Sequence, residues 1–257
     1  MKSKLLHFGV LIIPLLLAAC NPIESAATET LEPGDWSYVF LGDSNTQFYP
    51  WMLRDKIEED FNGEVTVTIK SRWVGAQTSS QMLSSIKTSE SLREDIRTAD
   101  IITFYIPFGG FNFSGYLYEN DGNCGGEDNQ DCLRDCLETY KDDTTAIFAE
   151  IVSLRSPSKA MIRVHDIYQF RSSITQEKGK FDVFNYYWRE ANAHVHATAE
   201  KYDIPVAHVF DAFMGEDGRQ SPEENGLVQA NMISPSDQGN QLIAELLYEL
   251  GYELAEP

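Results

Sequence analysis

A serine in a short polar turn is the first residue of this chain that could do covalent chemistry. Ser44 stands in the run Gly42-Asp43-Ser44-Asn45, directly after the compact apolar segment 37–41. A serine between a buried strand and a helix projects from the carboxyl edge of a sheet, where a nucleophile meets its substrate. The plainer alternative is a turn in which Ser44 only caps the next helix. The position therefore makes Ser44 a candidate nucleophile.

Three short runs, each following its own apolar segment, resemble the sequence blocks of the SGNH (GDSL-type) hydrolases. Residues 39–45 (VFLGDSN) resemble the first block, Gly75 stands in place of the second block's glycine, and a Gly-x-Asn run ends at Asn112. The resemblance implies that Ser44 attacks an ester carbonyl. It also implies an oxyanion hole made by the Ser44 and Gly75 backbone N–H groups and the Asn112 amide. Such donors are often worth about 3–4 kcal/mol each.

The last block of the family is degenerate in this chain. The family ends with Asp-x-x-His-Pro, a glycine and a helix, whereas this chain has Asn231-Met-Ile-Ser234-Pro235 followed by Gly239. Asn231 therefore takes the place of the Asp, and Ser234 that of the His. An amide cannot stabilise an imidazolium, and a hydroxyl is no base near neutral pH. Loss of such a His costs on the order of 10⁶ in rate.

His165 is the best substitute base that the sequence offers. It ends the apolar segment 160–165 and is followed by Asp166, so it is expected at the sheet edge that carries the nucleophile. A packed or surface histidine is the plainer interpretation. His208 and Asp211 border the next strand at the same edge and are weaker candidates.

The cysteines beyond Cys20 favour one disulfide. Cys124 and Cys132 bracket a flexible loop that a disulfide would close, whereas Cys132 and Cys136 lie four apart on a predicted helix, a less natural geometry. We therefore predict a Cys124–Cys132 bridge with Cys136 free. A zinc site at these cysteines is less favoured, because no histidine lies near. No cofactor or metal site is expected. His194 and His196 lie two residues apart on a predicted helix, so they point in different directions and cannot bind one ion together.

The first 19 residues have the layout of a secretory signal, with two lysines, a short apolar core and small residues at the end. The ending Leu-Ala-Ala-Cys20 resembles the lipobox of bacterial lipoproteins, in which the Cys is lipidated; the alternative is an ordinary signal with a chance Cys. Residues 20–35 are a predicted tether, and 36–257 one domain. We expect an exported protein of the bacterial cell envelope, held at the membrane by its lipid anchor alone.

The net charge of the chain restricts the classes of molecule that can bind it. The chain has 40 acidic and 20 basic residues, a net charge of −20. Such a surface repels phosphate backbones, which excludes nucleic acid as a partner and disfavours polyanionic substrates. Small esters, acylated glycans and lipids remain as substrates or ligands.

The elements that must position these residues follow from alternating apolar and amphipathic segments. Strands are predicted at 37–41, 64–70, 100–106, 160–165 and 206–209. Helices are predicted at 50–60, 78–89, 131–154, 181–202 and 235–250, with an aromatic, glycine-rich and acidic insertion at 107–130. This alternation is typical of a three-layer α/β/α sandwich with a five-stranded parallel sheet, flavodoxin-like, as the resemblance to SGNH hydrolases also implies. Ligands bind at the carboxyl ends of such strands.

Seven aromatic residues crowd the segment beside the predicted pocket. Exposed, they would suit an acyl chain or the face of a sugar ring, although packing onto the domain is the better interpretation for most of them. They are Phe104, Tyr105, Phe108, Phe111, Phe113, Tyr116 and Tyr118.

Two functions follow from these features. The first is an exported ester hydrolase of the serine esterase, lipase or acyl-sugar esterase class, with Ser44 as nucleophile and His165 as its base. The second is a catalytically inactive surface module that binds glycan or acyl ligands, because Asn231 and Ser234 together remove one proton relay.

Overall fold

Five parallel strands form the central sheet, in the order β2-β1-β3-β4-β5. The computed structural model describes residues 30–43, 48–71, 78–119, 122–231 and 233–256. The strands are β1 (Asp35–Leu41), β2 (Thr66–Ser71), β3 (Ile101–Phe104), β4 (Met161–His165) and β5 (Val206–Ala207). Since the chain alternates strand and helix, each parallel neighbour is reached through a helical crossover.

Helices cover both faces of the sheet. They are α1 (Tyr49–Asp60), α2 (Ser79–Thr88), α3 (Glu90–Thr98), α4 (Gly110–Glu119), α5 (Asp131–Leu154), α6 (Ser172–Glu177), α7 (Phe181–Lys201), α8 (Val209–Met214) and α9 (Asp237–Tyr248). Helix α1 packs against α9, and α5 packs against α2, α4 and α7. The predicted α/β/α sandwich with a five-stranded parallel sheet is confirmed. Among the described helices, none combines the length and apolarity that a membrane crossing requires.

The insertion at 107–130, for which the sequence predicted no element, contains the helix α4. Phe111, Gly115 and Tyr118 are buried at helical spacing. A side chain at Gly115 would lie 2.8 Å from Phe184 Cε1, so the glycine lets α4 approach α7 closely. The packing of one helical face thus decides the structure of this segment.

Three further helices were not predicted. Helix α3 follows α2 after a break at Ser89, whose hydroxyl oxygen accepts a hydrogen bond from Leu92 N. The short helices α6 and α8 occupy segments after β4 and β5. Strand β5 ends at Ala207 instead of Val209, since α8 begins at that valine.

An arginine inside the sheet binds a segment far along the chain. Arg163, in β4, is buried, and its guanidinium donates hydrogen bonds to the carbonyl oxygens of Ile162 (2.9 Å), Gly251 (3.3 Å) and Glu253 (2.7 Å). Burial lowers the pKa of Arg163 to about 10. The carbonyls of the segment after α9 thus compensate a cation that β4 would otherwise bury without partners.

Candidate functional site

A small cavity lies at the carboxyl ends of the central strands, where the parallel sheet leads us to expect a ligand. Its volume is about 50 Å³. Polar and aromatic side chains share its wall, among them Asp43, Tyr105, Phe108, Asn112, His165 and Tyr168. These residues come from the ends of β1, β3 and β4 and from α4, so the cavity brings together segments that are far apart in sequence.

The turn after β1 starts at the wall of this cavity. A side chain at Gly42 would overlap the ring of Tyr105 and come within 2.8 Å of Phe40 Cζ, so only glycine fits there. The next residue, Asp43, is buried, and its backbone N–H donates to the Tyr105 hydroxyl (3.2 Å). Ser44, the predicted nucleophile, and Gly75, a predicted oxyanion donor, lie outside the described residues.

His165 is packed between two tyrosines at the end of β4. Its side chain is buried, with 2% of the residue exposed. The imidazole stacks on Tyr105 (centroids 5.0 Å apart, 18° between planes) and meets the Tyr49 ring edge-on (5.3 Å, 80°). These contacts fix the plane of the imidazole, so that its two nitrogens point in set directions.

The hydrogen bonds of His165 determine its tautomer. Nδ1 lies 2.8 Å from the backbone carbonyl oxygen of Asp166. Because a carbonyl only accepts, Nδ1 carries the proton and Nε2 bears the lone pair. Within the part of the chain that the structure describes, Nε2 has no hydrogen-bond partner. Burial lowers the pKa of His165 to about 4, so the ring is neutral near pH 7. A neutral imidazole lining a cavity can take a proton from a hydroxyl held there.

Asp166 holds the carbonyl that orients His165. Its carboxylate is buried, and Oδ1 accepts from Phe210 N (2.7 Å) while Oδ2 lies 2.8 Å from His196 Nε2. Sequence reasoning missed this role. The order His165-Asp166 places the two residues together, but nothing in the spacing points to His196 or Phe210.

Asn112 reaches the same cavity from the first turn of α4. It is exposed, as expected for an amide that would donate to a bound ligand. The structure therefore brings together Asn112 and His165, the two described members of the predicted catalytic set.

The loop that contains Asn231 and Ser234 also borders the cavity, through Ile233. Asn231 Oδ1 accepts from the backbone N–H groups of Ile233 and Ser234 (both 2.9 Å), and its Nδ2 donates to Ser234 Oγ (3.1 Å). The hydroxyl of Tyr168 donates to the Ile233 carbonyl and holds the loop against the β4 end. Asn231 and Ser234 thus lie side by side, as the resemblance implies. The Asn231 amide oxygen is occupied by two backbone hydrogen bonds within the turn.

The first turn of α9 contains Gly239, the glycine that the resemblance implies. A side chain at Gly239 would overlap the carbonyl oxygen of Leu227, and Gly239 N donates to Ser236 Oγ (3.1 Å) at the start of α9. The close approach of the Leu227 carbonyl therefore requires a glycine at position 239.

Most of the aromatic residues near the site are core residues. Five of the seven are buried, as the packing interpretation predicts: Phe104, Tyr105, Phe108, Phe111 and Tyr118. Phe113 and Tyr116, on α4, are 68% and 63% exposed. Tyr116 lines a second cavity of about 270 Å³, which shares Asn112 and Phe170 with the first and includes Arg171. The two cavities are therefore adjacent, and we call them together the cleft; the second has room for a group larger than a water molecule.

The three described cysteines lie near α4 but line neither cavity of the cleft. Cys124 and Cys132 are joined by a disulfide, with Cα atoms 4.9 Å apart, and Cys136 is free and half-buried. The bridge connects the segment after α4 to the first turn of α5. The predicted Cys124–Cys132 pairing is therefore present.

The fold is shared with known lipases. The chain is similar to a lipase from a goat rumen metagenome at 18% identity, with a TM-score of 0.65 over 85% of this chain and 98% of that one. An extracellular lipase from Streptomyces rimosus matches at 12% identity and a TM-score of 0.59, over 84% and 100%. A protein from Parabacteroides merdae described as a GDSL-like lipase matches at 15% and 0.58, over 86% and 97%. The structural neighbours are thus SGNH/GDSL-like hydrolases at low identity.

Comparison of the sequence with models of known families gives no match, and neither does comparison with curated proteins.

Proposed function

We propose that this chain is an ester hydrolase of the SGNH type, with Ser44 as nucleophile and His165 as general base. The observation that carries the proposal is the lone pair of His165 Nε2, buried in the wall of a cavity that Asn112 and Asp43 also line. The lipase-like fold supports the same class of reaction.

The chemistry follows from the tautomer of His165. As Ser44 Oγ attacks the ester carbonyl, its proton passes to Nε2, and the amide of Asn112 stabilises the oxyanion. The protonated Nε2 then gives that proton to the leaving alcohol, which leaves an acyl group on Ser44. A water molecule deprotonated by Nε2 attacks the acyl-enzyme, and the carboxylic acid departs as Ser44 Oγ regains a proton.

The hydrogen-bond partner of His165 Nδ1 limits the rate of ester hydrolysis. In a Ser-His-Asp relay a carboxylate stabilises the imidazolium, whereas here Nδ1–H donates to the neutral carbonyl of Asp166. Burial among tyrosines also opposes the positive charge. We therefore expect slower turnover than a complete relay gives.

The substrate is an uncharged ester with an apolar acyl group, such as a lipid or an acylated sugar. The first cavity is lined mainly by aromatic and aliphatic side chains, including Phe108, Ile167 and Phe170. The net charge of −20 opposes polyanionic substrates. We propose that the chain acts in the bacterial envelope, lipidated at Cys20.

A catalytically inactive binding module is the second candidate. The observation that favours it is the Asn231–Ser234 pair, whose groups hydrogen-bond each other and the local backbone on a loop without histidine. Such a protein would hold an acyl or glycan ligand in the same cleft without turnover.

A fluorophosphonate probe separates the two candidates, because it labels only an activated serine. We expect labelling of the purified protein that Ser44→Ala abolishes. His165→Asn should also abolish it, since an Asn side chain keeps a donor near the Nδ1 position and removes Nε2. Ser234→Ala is the matched control and should label like the parent protein.

The same variants are then tested for hydrolysis of short-chain p-nitrophenyl esters. Labelling that survives in His165→Asn would contradict His165 as the base. No labelling of a folded parent protein, together with stoichiometric ligand binding, would establish the binding module instead.

A further inference from the structure

Next to His165, the Asp166 carboxylate lies close to two imidazoles. We propose that Asp166, His196 and His208 form a binding site for one divalent transition-metal ion, Zn²⁺ foremost. This inference does not depend on hydrolase activity, since His196 and His208 are not among the described residues that line the first cavity.

The three ligands come from three separate parts of the fold. Asp166 follows β4, His196 lies in α7, and His208 stands between β5 and α8. One ligand atom from each lies within 4.8 Å of the other two. The Asp166 Oδ2–His196 Nε2 distance is 2.8 Å, and the two imidazole centroids are 4.9 Å apart at 86°. No sequence motif joins these residues, so only the fold shows the cluster.

The charge at this place favours a cation. Asp166 is 1% exposed, and a buried carboxylate is costly unless its charge is compensated. Within the described ranges, no lysine or arginine forms an ion pair with Asp166; its partners are Phe210 N–H and His196. A neutral imidazole leaves the carboxylate charge uncompensated, and a divalent ion would compensate it. The net charge of −20 adds a general attraction for cations.

The donor set selects the kind of metal. Two imidazole nitrogens with one carboxylate oxygen suit zinc and its neighbours, whereas calcium and magnesium prefer all-oxygen sites. With Zn–N and Zn–O distances of about 2.0–2.1 Å, tetrahedral ligand atoms lie roughly 3.3 Å apart. Asp166 and His196 must therefore separate slightly, while His208 must move inward. His208 is exposed, so its side chain has room to rotate and the fourth ligand position remains open to a water molecule.

An ion here would connect the end of β4 to α7 and α8. Asp166 also holds His165 through its carbonyl, so metal binding would stiffen the backbone at the edge of the candidate active site. The expected measurable effect is a higher melting temperature, because the ion binds only the folded arrangement.

The test uses the full chain without a polyhistidine tag, freed of metal with EDTA and then dialysed. Titration with Zn²⁺ in a calorimeter should give one ion per chain and raise the melting temperature. Titration with Co²⁺ should give the intense visible absorption of tetrahedral coordination. His208→Ala, at an exposed position, should weaken binding by at least about tenfold and remove the Co²⁺ bands.

Two variants serve as matched controls. His194→Ala, on the same helix but hydrogen-bonded to the Lys141 carbonyl, should bind metal like the parent chain. Cys136→Ser should also bind normally, which excludes the free thiol as a ligand. The proposal is overturned if the parent chain takes up no ion at stoichiometric Zn²⁺, if it binds half an ion per chain, or if His208→Ala binds as well as His194→Ala.

Discussion

At the residue scale, the environment of His165 determines what this histidine can do. Stacking on Tyr105 and the bond to the Asp166 carbonyl place a lone pair at the cavity wall, and burial lowers the pKa of the ring to about 4. The same burial keeps the ring neutral and makes its protonation costly. Both effects lead to measurable dependences on pH.

The free energy of unfolding should depend on pH through His165. An unfolded histidine has a pKa near 6.5, so between pH 6.5 and 4 the unfolded chain binds a proton that the folded chain does not. The stability from the neutral ring is complete above pH 6.5 and is lost as pH falls toward 4, by about 3 kcal/mol. Urea unfolding at several pH values, in EDTA, should show this loss in the parent and much less of it in His165→Asn. Parallel curves for the two proteins would contradict the buried neutral ring.

The pH below which ester hydrolysis is lost should be unusually low. A general base acts only when deprotonated, so kcat/KM should stay level from pH 7 to about 5 and fall as pH drops through about 4. Initial rates with a p-nitrophenyl ester, again in EDTA, measure this. A midpoint near 6.5 would show that an ordinary, solvated histidine is the base.

Gly42→Ala should damage both the site and the fold. The added methyl would overlap the Tyr105 ring, which packs on His165. Overpacking of this kind costs about 1–3 kcal/mol, and displacement of Tyr105 should abolish fluorophosphonate labelling. Gly63→Ala adds the same methyl where it meets no atom within 4 Å, at a left-handed φ of +85° that Gly42 does not share, and should leave labelling intact. Equal labelling of both variants would contradict the close approach at Gly42.

At the element scale, β1, β3 and β4 were predictable because burial makes them nearly continuous apolar runs, whereas the edge strand β2 was predicted from its β-branched residues. Helix α5 was predicted with its observed bounds, since a long amphipathic pattern fixes a helix well. Helix α4 was missed because its buried face consists of aromatic residues and glycine instead of aliphatic residues. The cleft residue Asn112 was identified from its motif, whereas the partners of Asp166 were not, because only tertiary packing brings His196 to it.

Loss of the disulfide should destabilise the α4–α5 connection. Closing a loop of this length contributes about 2–3 kcal/mol by the loop-entropy estimate. Cys124→Ser with Cys132→Ser should lower the free energy of unfolding in urea by that amount. Cys136→Ser is the control for loss of a thiol. A difference below the error between these proteins would show that the bridge adds nothing to stability.

At the scale of the whole molecule, an excess of 20 negative charges acts on every part of the fold. Self-repulsion disfavours the compact state, and salt screens it over about 10 Å at 0.1 M. The melting temperature should therefore rise between 10 and about 200 mM salt, with NaCl and choline chloride giving the same increase. A fall would show that surface ion pairs such as Arg134–Asp128 outweigh the repulsion.

The contact between Arg163 and the carbonyls of Gly251 and Glu253 has a consequence for the order of assembly. A ribosome makes β4 roughly ninety residues before those carbonyls exist. Until then β4 contains a guanidinium whose hydrogen bonds must be made with water. The nascent chain should consequently remain loosely structured until nearly all of it has been synthesised.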